Sequence, residues 1–249
     1  MDAMRLDKYL ADMNVGTRSE LKRDIRKGLV TVGGSVIKDP GKNVDPVTDE
    51  VCYRGRKIVY ETFVYYMLNK PAGVISATDD KRTKTVIDLL PEDRRKDLFP
   101  VGRLDKDTEG LLLITNDGEL AHALLSPRRH VDKKYYARIR GVVTREDALA
   151  FASGIPLKDF TCMPADLVIE RSSEISEVLV TIREGKFHQI KRMFEALGKE
   201  VIYLKRIEMG SLILDGELAP GEFRRLTEEE LRSLCALAGL SRESGARQE

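Results

Sequence analysis

An arginine and an aspartate stand at the start of the most apolar stretch of this 249-residue chain. Arg103 and Asp105 belong to the sequence GRLDKDTEG, which runs directly into LLLIT. A carboxylate beside a buried strand tends to lose its charge through desolvation unless a cation or hydrogen-bond donors compensate. Asp105 is therefore either a residue that shapes the turn or an ionised carboxylate that takes part in chemistry, and this segment leaves both interpretations open.

The other residue types that commonly perform chemistry show no pattern of their own. The three histidines and three cysteines lack the spacing of a metal site, and the cysteines are expected to be reduced, buried thiols. The sequence contains no glycine-rich phosphate loop, no signal peptide and no apolar segment long enough to span a bilayer. We therefore expect a cytoplasmic protein that uses no metal and no cofactor and does not contact a membrane.

The net charge of +1 conceals two basic segments. Residues 127–140 hold six lysines and arginines against one aspartate, and residues 186–206 hold six against two glutamates. Segments of this kind are often only solvated surface. Two of them flanking one candidate site favour a polyanionic partner such as a nucleic acid.

The first fifty residues have the features of a separate module. Apolar residues at helical spacing from Leu6 to Met13 predict a short helix, and Thr17 with Glu20 predicts the capped start of a second helix. Two β-branched runs around the Gly-Gly turn at 33–34 predict a hairpin. The second helix carries a row of cations suited to phosphate contact: Arg18, Lys22, Arg23 and Arg26.

This arrangement resembles the S4 RNA-binding module over residues 4–50. A merely solvated helix face would be the simpler interpretation of the basic row if the row stood alone. The resemblance implies that the module binds RNA and performs no catalysis. We assign residues 1–50 to it and expect the charged stretch 51–61 to be a linker.

From residue 62 to residue 240, strand and helix patterns alternate without a strict βαβ repeat. Strands outnumber helices, so the α+β class is predicted for this larger domain. The helix pattern after residue 185 places Phe187 on its apolar face, together with Ile190 and Phe194. In the KKYYARI strand, Tyr136 is expected in the core, and residues 241–249 are expected to be a frayed tail.

Five ordered sequence blocks resemble the bacterial rRNA pseudouridine synthases. They are NKPAGVIS (69–76), VGRLDKDTEGLLLITNDGELAHAL (101–124), DKKYYARI (132–139), EGKFHQIKRMFEALGKEVIYLKRIEMG (184–210) and LAPGEFRRLTEEEL (218–231). With the S4 module they cover nearly the whole chain. The resemblance implies a pseudouridine-synthase fold, in which a central, mainly antiparallel sheet is flanked by helices and divided by a cleft.

The same resemblance implies roles for individual residues. The aspartate of the GRLD block is the catalytic residue of the family, so Asp105 takes that role. Lys191 aligns with the basic residue that pairs with the aspartate, with Arg192 as the second choice, and Tyr135 aligns with the tyrosine that packs against the uracil of a flipped nucleotide. A metal-dependent nuclease using Asp105 and Asp107 is a weaker alternative, because the chain offers no further ligand spacing.

RNA contacts are expected from residues on the rim of the cleft: Arg103, Lys133, His188, Gln189 and Arg192. The HQIKRM sequence resembles the small-subunit enzymes, which favours a uridine of 16S ribosomal RNA, free or in an assembling subunit, as substrate. A 23S rRNA substrate and a non-catalytic role in ribosome assembly are the alternatives. We expect a monomer, and a cleft floor shaped by Lys70, Pro71 and Gly73.

Overall fold

The structure, a computed structural model, describes residues 3–90, 97–126 and 129–240. These residues form two compact units. The smaller unit contains residues 3–64 with residues 90, 97 and 98, and the larger unit contains the remaining described residues. The expected tail at 241–249 lies outside the described residues. Within the described ranges, no helix combines the length and the apolar character needed to cross a membrane.

The smaller unit packs two short helices against short strands around one apolar core. Leu6 and Leu10 of the first helix and Ile25 of the second are fully buried in it. The capping box of Thr17 and Glu20 begins the second helix, as predicted. The elements are β1 (Met4–Arg5), α1 (Leu6–Asp12), α2 (Arg18–Arg26), β2 (Val30–Val32), β3 (Ser35–Ile37), β4 (Asn43–Val44), β5 (Val51–Tyr53) and β6 (Arg56–Ile58).

The stretch expected to be a linker belongs to the sheet of the smaller unit. β5 pairs with β2 and β6 pairs with β5, in the antiparallel order β3-β2-β5-β6. Val51 is fully buried, and the hydroxyl of Tyr9 donates a hydrogen bond to the carbonyl oxygen of Ile58 at 2.8 Å. The prediction of a linker at 51–61 is wrong. The charged residues of this stretch are exposed, but the stretch forms two strands that complete this core.

The larger unit is built on one nine-stranded sheet. Its main path runs β11-β12-β10-β13-β9-β7-β15, and along this path β13 and β9 are parallel while every other pair is antiparallel. The mainly antiparallel sheet is therefore confirmed, although β11 and β15 were not predicted as strands. The strands are β7 (Tyr65–Lys70), β8 (Phe99–Pro100), β9 (Glu109–Thr115), β10 (Lys133–Arg140), β11 (Asp166–Arg171), β12 (Ile175–Ile182), β13 (Glu200–Met209), β14 (Leu212–Ile213) and β15 (Phe223–Arg225).

Helices cover the sheet and confirm the α+β class. Leu111 of β9 packs with Leu120 and Leu234 of two helices in the main core of this unit. Asp117 caps the first of these helices by accepting a hydrogen bond from the backbone N–H of Leu120 at 3.0 Å. The helices are α3 (Gly118–Leu125), α4 (Arg145–Ser153), α5 (Gln189–Ala196) and α6 (Glu228–Ala238), with a 3₁₀ turn at Ile87–Leu89.

Side chains alternate between the two faces of β10. Tyr135 is buried together with Lys133 and Ala137, whereas Tyr136 is only half-buried on the opposite face. The hydroxyl of Tyr136 donates a hydrogen bond to Glu177 at 2.8 Å. The prediction of Tyr136 as a core residue is wrong, because the face of β10 that meets the protein interior is the face of Tyr135.

Candidate active site

The loop between β8 and β9 carries Asp105 and is fixed by hydrogen bonds from another segment. The hydroxyl of Ser76 donates to the carbonyl oxygen of Leu104 at 2.9 Å and accepts from the N–H of Leu104 at 3.0 Å. The backbone N–H of Gly73 donates to the carbonyl oxygen of Lys106 at 2.7 Å. The backbone is therefore held on both sides of Asp105.

Lys70, at the end of β7, contacts the same loop from inside the protein. Its side chain is fully buried, and Nζ lies 2.8–3.3 Å from four carbonyl oxygens, those of Pro71, Asp105, Lys106 and Thr108. Burial lowers the pKa of Lys70 to about 8, although nearby carboxylates oppose the shift. Lys70 thus ties the Asp105 loop to a central strand by charge-assisted hydrogen bonds.

The carboxylate of Asp105 faces two basic side chains at the start of α5. Its Oδ2 lies 3.4 Å from Nζ of Lys191, and its Oδ1 lies 3.6 Å from Nε2 of His188. The side chain of Asp105 is 27% exposed, so the protein shields most of it from water. The ammonium group of Lys191 therefore lies within ion-pair distance of the Asp105 carboxylate.

Lys191 also contacts a second carboxylate. Its Nζ lies 2.6 Å from Oδ1 of Asp107, closer than to Asp105. Partial desolvation raises the pKa of the Asp107 carboxyl, but the hydrogen bond and charge of Lys191 outweigh it, so the pKa is lowered overall. One ammonium group therefore serves two carboxylates of the same loop.

An open pocket brings segments together that are far apart in sequence. The loop after β8, strand β10 and the start of α5 all contribute side chains to its wall. The predicted catalytic residues share this wall with an arginine and a histidine; the lining includes Arg103, Asp105, Thr108, Tyr135, His188 and Lys191.

This geometry suits an aromatic base and a reaction at a carbon that gains positive charge. Tyr135 offers a flat ring that is 7% exposed, against which a base can stack. Asp105 offers an ionised oxygen, which can attack an electrophilic carbon or stabilise an oxocarbenium-like sugar.

Comparison with known proteins agrees with this geometry. Residues 64–196 match the RNA pseudouridylate synthase family, which is more than half of the chain, and residues 4–51 match the S4 domain. The chain belongs to the RNA pseudouridylate synthase family. It is a pseudouridine synthase, an isomerase, and the resemblance found in the sequence is confirmed.

Individual relatives of this synthase align over almost its full length. The RNA pseudouridine synthase YtzG of Bacillus subtilis is 49% identical over 93% of this chain and 98% of its own. Ribosomal small subunit pseudouridine synthase A of Escherichia coli is 40% identical over 93% and 100%, and ribosomal large subunit pseudouridine synthase B of Bacillus subtilis is 41% identical over 94% and 96%. A crystal structure of a pseudouridylate synthase is 35% identical, with a TM-score of 0.66 over 93% of this chain and 99% of that one.

Two side chains predicted to contact RNA, Gln189 of the pocket lining and Lys133 of β10, are largely buried and form hydrogen bonds within the synthase. Gln189 is 4% exposed; its Nε2 donates to Glu184 at 2.7 Å and its Oε1 accepts from the N–H of Lys186 at 3.0 Å. Lys133 is 7% exposed and donates to the carbonyl oxygen of Val131 at 2.9 Å. Lys133 is turned inward because it shares a face of β10 with Tyr135, and Gln189 because its amide closes the loop before α5.

Arg192 lies beside the pocket rather than in its lining. Its guanidinium pairs with Asp159 and lies 5.3 Å from the ring centre of Phe160. Lys191, the first choice from the sequence, is the residue that pairs with Asp105 in the synthase.

Asp7 of α1, whose side chain is fully buried, pairs with two of the four cations in the basic row of α2. Asp7 lies 3.1 Å from a guanidinium nitrogen of Arg18 and 3.9 Å from Nζ of Lys22. Arg23 and Arg26 are exposed, and neither forms an ion pair with a carboxylate in the described ranges. The cations of this row that remain open to a phosphate are therefore Arg23 and Arg26.

Phe187 lies in sequence between two residues of the pocket lining, Lys186 and His188, and its exposure was not predicted. The sequence placed it on the apolar face of α5, but it is 73% exposed. The helix begins at Gln189 because His188 adopts a left-handed conformation, with φ 50° and ψ 31°. The prediction for Phe187 is wrong, since helical periodicity does not extend through that residue.

Proposed function

We propose that this chain converts one uridine of 16S ribosomal RNA to pseudouridine, with Asp105 as the catalytic residue. The observation that carries the proposal is the meeting of Asp105, Lys191 and Tyr135 at one pocket. The reaction breaks the bond between uracil N1 and ribose C1′, turns the base and joins C5 to C1′. The proton leaves C5 and N1 gains one, so no redox change and no cofactor is required.

An ionised Asp105 serves each of three routes. The carboxylate can attack C1′, attack C6 of uracil, or assist elimination at C2′. All three bring the carboxylate close to a sugar or base that becomes electron-poor, and the ion pair with Lys191 holds the carboxylate in position. Tyr135 packs against the uracil ring after the nucleotide leaves its stack, which offsets part of the unstacking cost.

The smaller unit supplies RNA affinity, in line with its match to the S4 domain. We propose that the chain divides near residue 64, where the smaller unit ends, rather than at residue 50. The larger unit then provides the chemistry and the smaller unit holds the surrounding RNA. We further propose that the protein acts in the cytoplasm as a monomer, on free RNA or on an assembling small subunit.

The choice of the small subunit rests on the sequence at the rim of the pocket. His188 and Gln189 both belong to the pocket lining and support that choice, although Gln189 is only 4% exposed. Overall identity does not discriminate, because relatives named for the small and the large subunit are 40% and 41% identical.

The test is to map pseudouridines in both ribosomal RNAs from cells that lack the protein. We expect one 16S position to lose its pseudouridine, the wild-type chain to restore it, and Asp105→Asn not to restore it. Asn is nearly isosteric but cannot attack or carry the charge. Restoration by Asp105→Asn would remove Asp105 from catalysis, and loss of a 23S position with all 16S positions intact would assign the enzyme to the large subunit.

A further inference from the structure

Phe187, next to the pocket residue His188 in the chain, is the most exposed of the large apolar residues in the described ranges. The residue is 73% exposed, and its ring stacks on the imidazole of His188, with ring centres 3.8 Å apart and planes 18° from parallel. His188 lines the pocket, and its Nε2 lies 3.6 Å from Asp105. In the stacked pair, His188 therefore lies on the side of Asp105 and Phe187 lies on the side of the solvent.

The backbone that creates this stack is unfavourable by itself. His188 has a positive φ of 50°, a conformation that residues other than glycine seldom adopt. Strained conformations of this kind cluster at active sites and ligand-binding elements. Phe187 gains little burial in return, so the folding energy of the protein does not account for the arrangement.

The wall of the pocket that His188 lines also carries cations. Lys186, which precedes Phe187 in the chain, is exposed and belongs to the lining, and Arg103 is exposed on the same wall. Proteins bind unpaired nucleotides by stacking bases on aromatic rings and placing phosphates on nearby cations.

We propose that the Phe187–His188 stack is a platform for one unpaired nucleobase adjacent to the flipped uridine. This inference rests on the proposed function and adds a second base-binding position to the same site. The neighbouring base stacks on the outer face of Phe187 while the uridine occupies the pocket beside Asp105. Because every base has a flat face, the platform accepts any base and fixes the RNA strand rather than its sequence.

The chain contains no tryptophan, which allows a direct measurement. Phe187→Trp introduces a single indole fluorophore at the platform, and a stacked base quenches indole fluorescence. The matched control is Ile213→Trp, which is 66% exposed and lies on β14, outside the segment of Phe187 and His188. With a ten-nucleotide oligouridylate, and with unmodified 16S rRNA transcript, we expect saturable quenching of Phe187→Trp and none of Ile213→Trp. RNA that binds without quenching Phe187→Trp overturns the platform.

The removal of the ring gives a second measurement. Because Phe187→Ala loses the stacking of one base, it should weaken oligouridylate binding by about 5- to 150-fold. Phe187→Tyr keeps an aromatic ring and should retain the affinity. On 16S transcript, Phe187→Ala should raise KM with little change in kcat, because the ring binds substrate and takes no part in bond cleavage. Equal affinity of Phe187→Ala and wild type contradicts the proposal.

Failure of the platform and failure of the proposed function give different results. The double variant Asp105→Asn, Phe187→Trp should form no pseudouridine but still show quenching by RNA. If the wild type forms no pseudouridine while quenching persists, the proposed reaction is wrong and the RNA platform stands. If pseudouridine forms normally while Phe187→Trp is not quenched, the reaction stands and the platform is wrong.

Discussion

The ammonium group of Lys191 lies 2.6 Å from a carboxylate oxygen of Asp107, on the same loop as Asp105. Its distance to Asp105 is longer, 3.4 Å. Asp107 is largely exposed, with 72% of its side chain accessible, whereas Asp105 faces the pocket. The exposed carboxylate therefore shares the cation that the more enclosed one needs.

Removal of Lys191 should slow the reaction, whereas removal of Asp107 should not. Lys191→Met takes away the cation beside Asp105, so kcat should fall by roughly 10- to 100-fold. Asp107→Asn leaves the ammonium group of Lys191 to Asp105, so kcat should equal or exceed that of the wild type. The measurement is kcat at pH 7, with the RNA binding of each variant checked.

The double variant is the control for this prediction. Because Asp107 acts on Asp105 through Lys191, Asp107→Asn should have little further effect once Lys191→Met is present. A kcat of Lys191→Met equal to that of the wild type would transfer the pairing role to Arg192.

The lowered pKa of Lys70 predicts that activity declines at alkaline pH. Burial lowers its pKa to about 8, so it is protonated below that pH and becomes neutral as pH rises through about 8. The neutral amine is a weaker donor to the carbonyl oxygens of Asp105 and Thr108, and the loop loosens. We expect kcat to fall above about pH 8, and Lys70→Met to reduce kcat by roughly 10- to 100-fold at pH 7.

The shape of the profile separates this role from a general decrease in stability. Lys70→Met has no group to titrate and should lack the alkaline limb, whereas Lys133→Met, at a second buried lysine, should keep it. An alkaline limb that survives in Lys70→Met would show that another group is responsible.

Lys133 should lower the stability of the protein at neutral pH. Burial, with a contribution from the charge of Arg206, lowers its pKa to about 8 from the usual 10.5. Below about pH 8 the lysine is protonated in both states and the folded state bears the cost of the buried charge; above pH 10.5 it is neutral in both and the cost disappears. Lys133→Met should therefore raise the free energy of unfolding at pH 7 by about 1–3 kcal/mol, a gain that shrinks between pH 8 and 10.5.

Urea unfolding at pH 7 and pH 10 measures this effect. Lys134→Met is the matched control, since Lys134 lies on the other face of β10, half-exposed and 3.1 Å from Glu208. Lys133→Met should also leave RNA affinity unchanged. A decrease in RNA affinity with no gain in stability would restore the sequence-based prediction that Lys133 contacts RNA.

The pairing of Asp105 with Lys191 was predictable only through the family resemblance. The two residues lie in separate sequence blocks, 101–124 and 184–210, which the resemblance aligns. Their 3.4 Å contact agrees with that expectation. The capping box of Thr17 and Glu20 was predictable for a different reason, since both partners lie within one helical turn.

The errors concern features that depend on distant partners or on backbone conformation. Strands β5 and β6 are recognisable only through the pairing of β5 with β2 and of β6 with β5, which composition does not show. The start of α5 depends on the left-handed conformation of His188, which no periodicity encodes, and this displaced Phe187 from the predicted apolar face. The inward position of Gln189 depends on its bond to Glu184 in a closed loop.

The basic row of α2 yields a prediction about salt dependence. Arg18 and Lys22 lie against the buried carboxylate of Asp7, so part of their charge is neutralised within the protein. Arg23 and Arg26 are exposed on the same helix. If the smaller unit holds the RNA backbone, the second pair should account for most of its phosphate contacts.

Replacement of both Arg23 and Arg26 by alanine should weaken RNA binding and flatten its dependence on salt. Removing one cation from a phosphate lowers the slope of log affinity against log salt by roughly 0.7–0.9, so the slope of the double variant should fall by roughly 1.4–1.8. The control is Lys8→Ala, whose ammonium pairs with Asp12 at 2.7 Å on α1 and should change the slope little. Titrations of 16S transcript at several salt concentrations give both slopes. An unchanged slope in the arginine double variant, or an equal decrease in Lys8→Ala, would show that this face of α2 does not contact the RNA backbone.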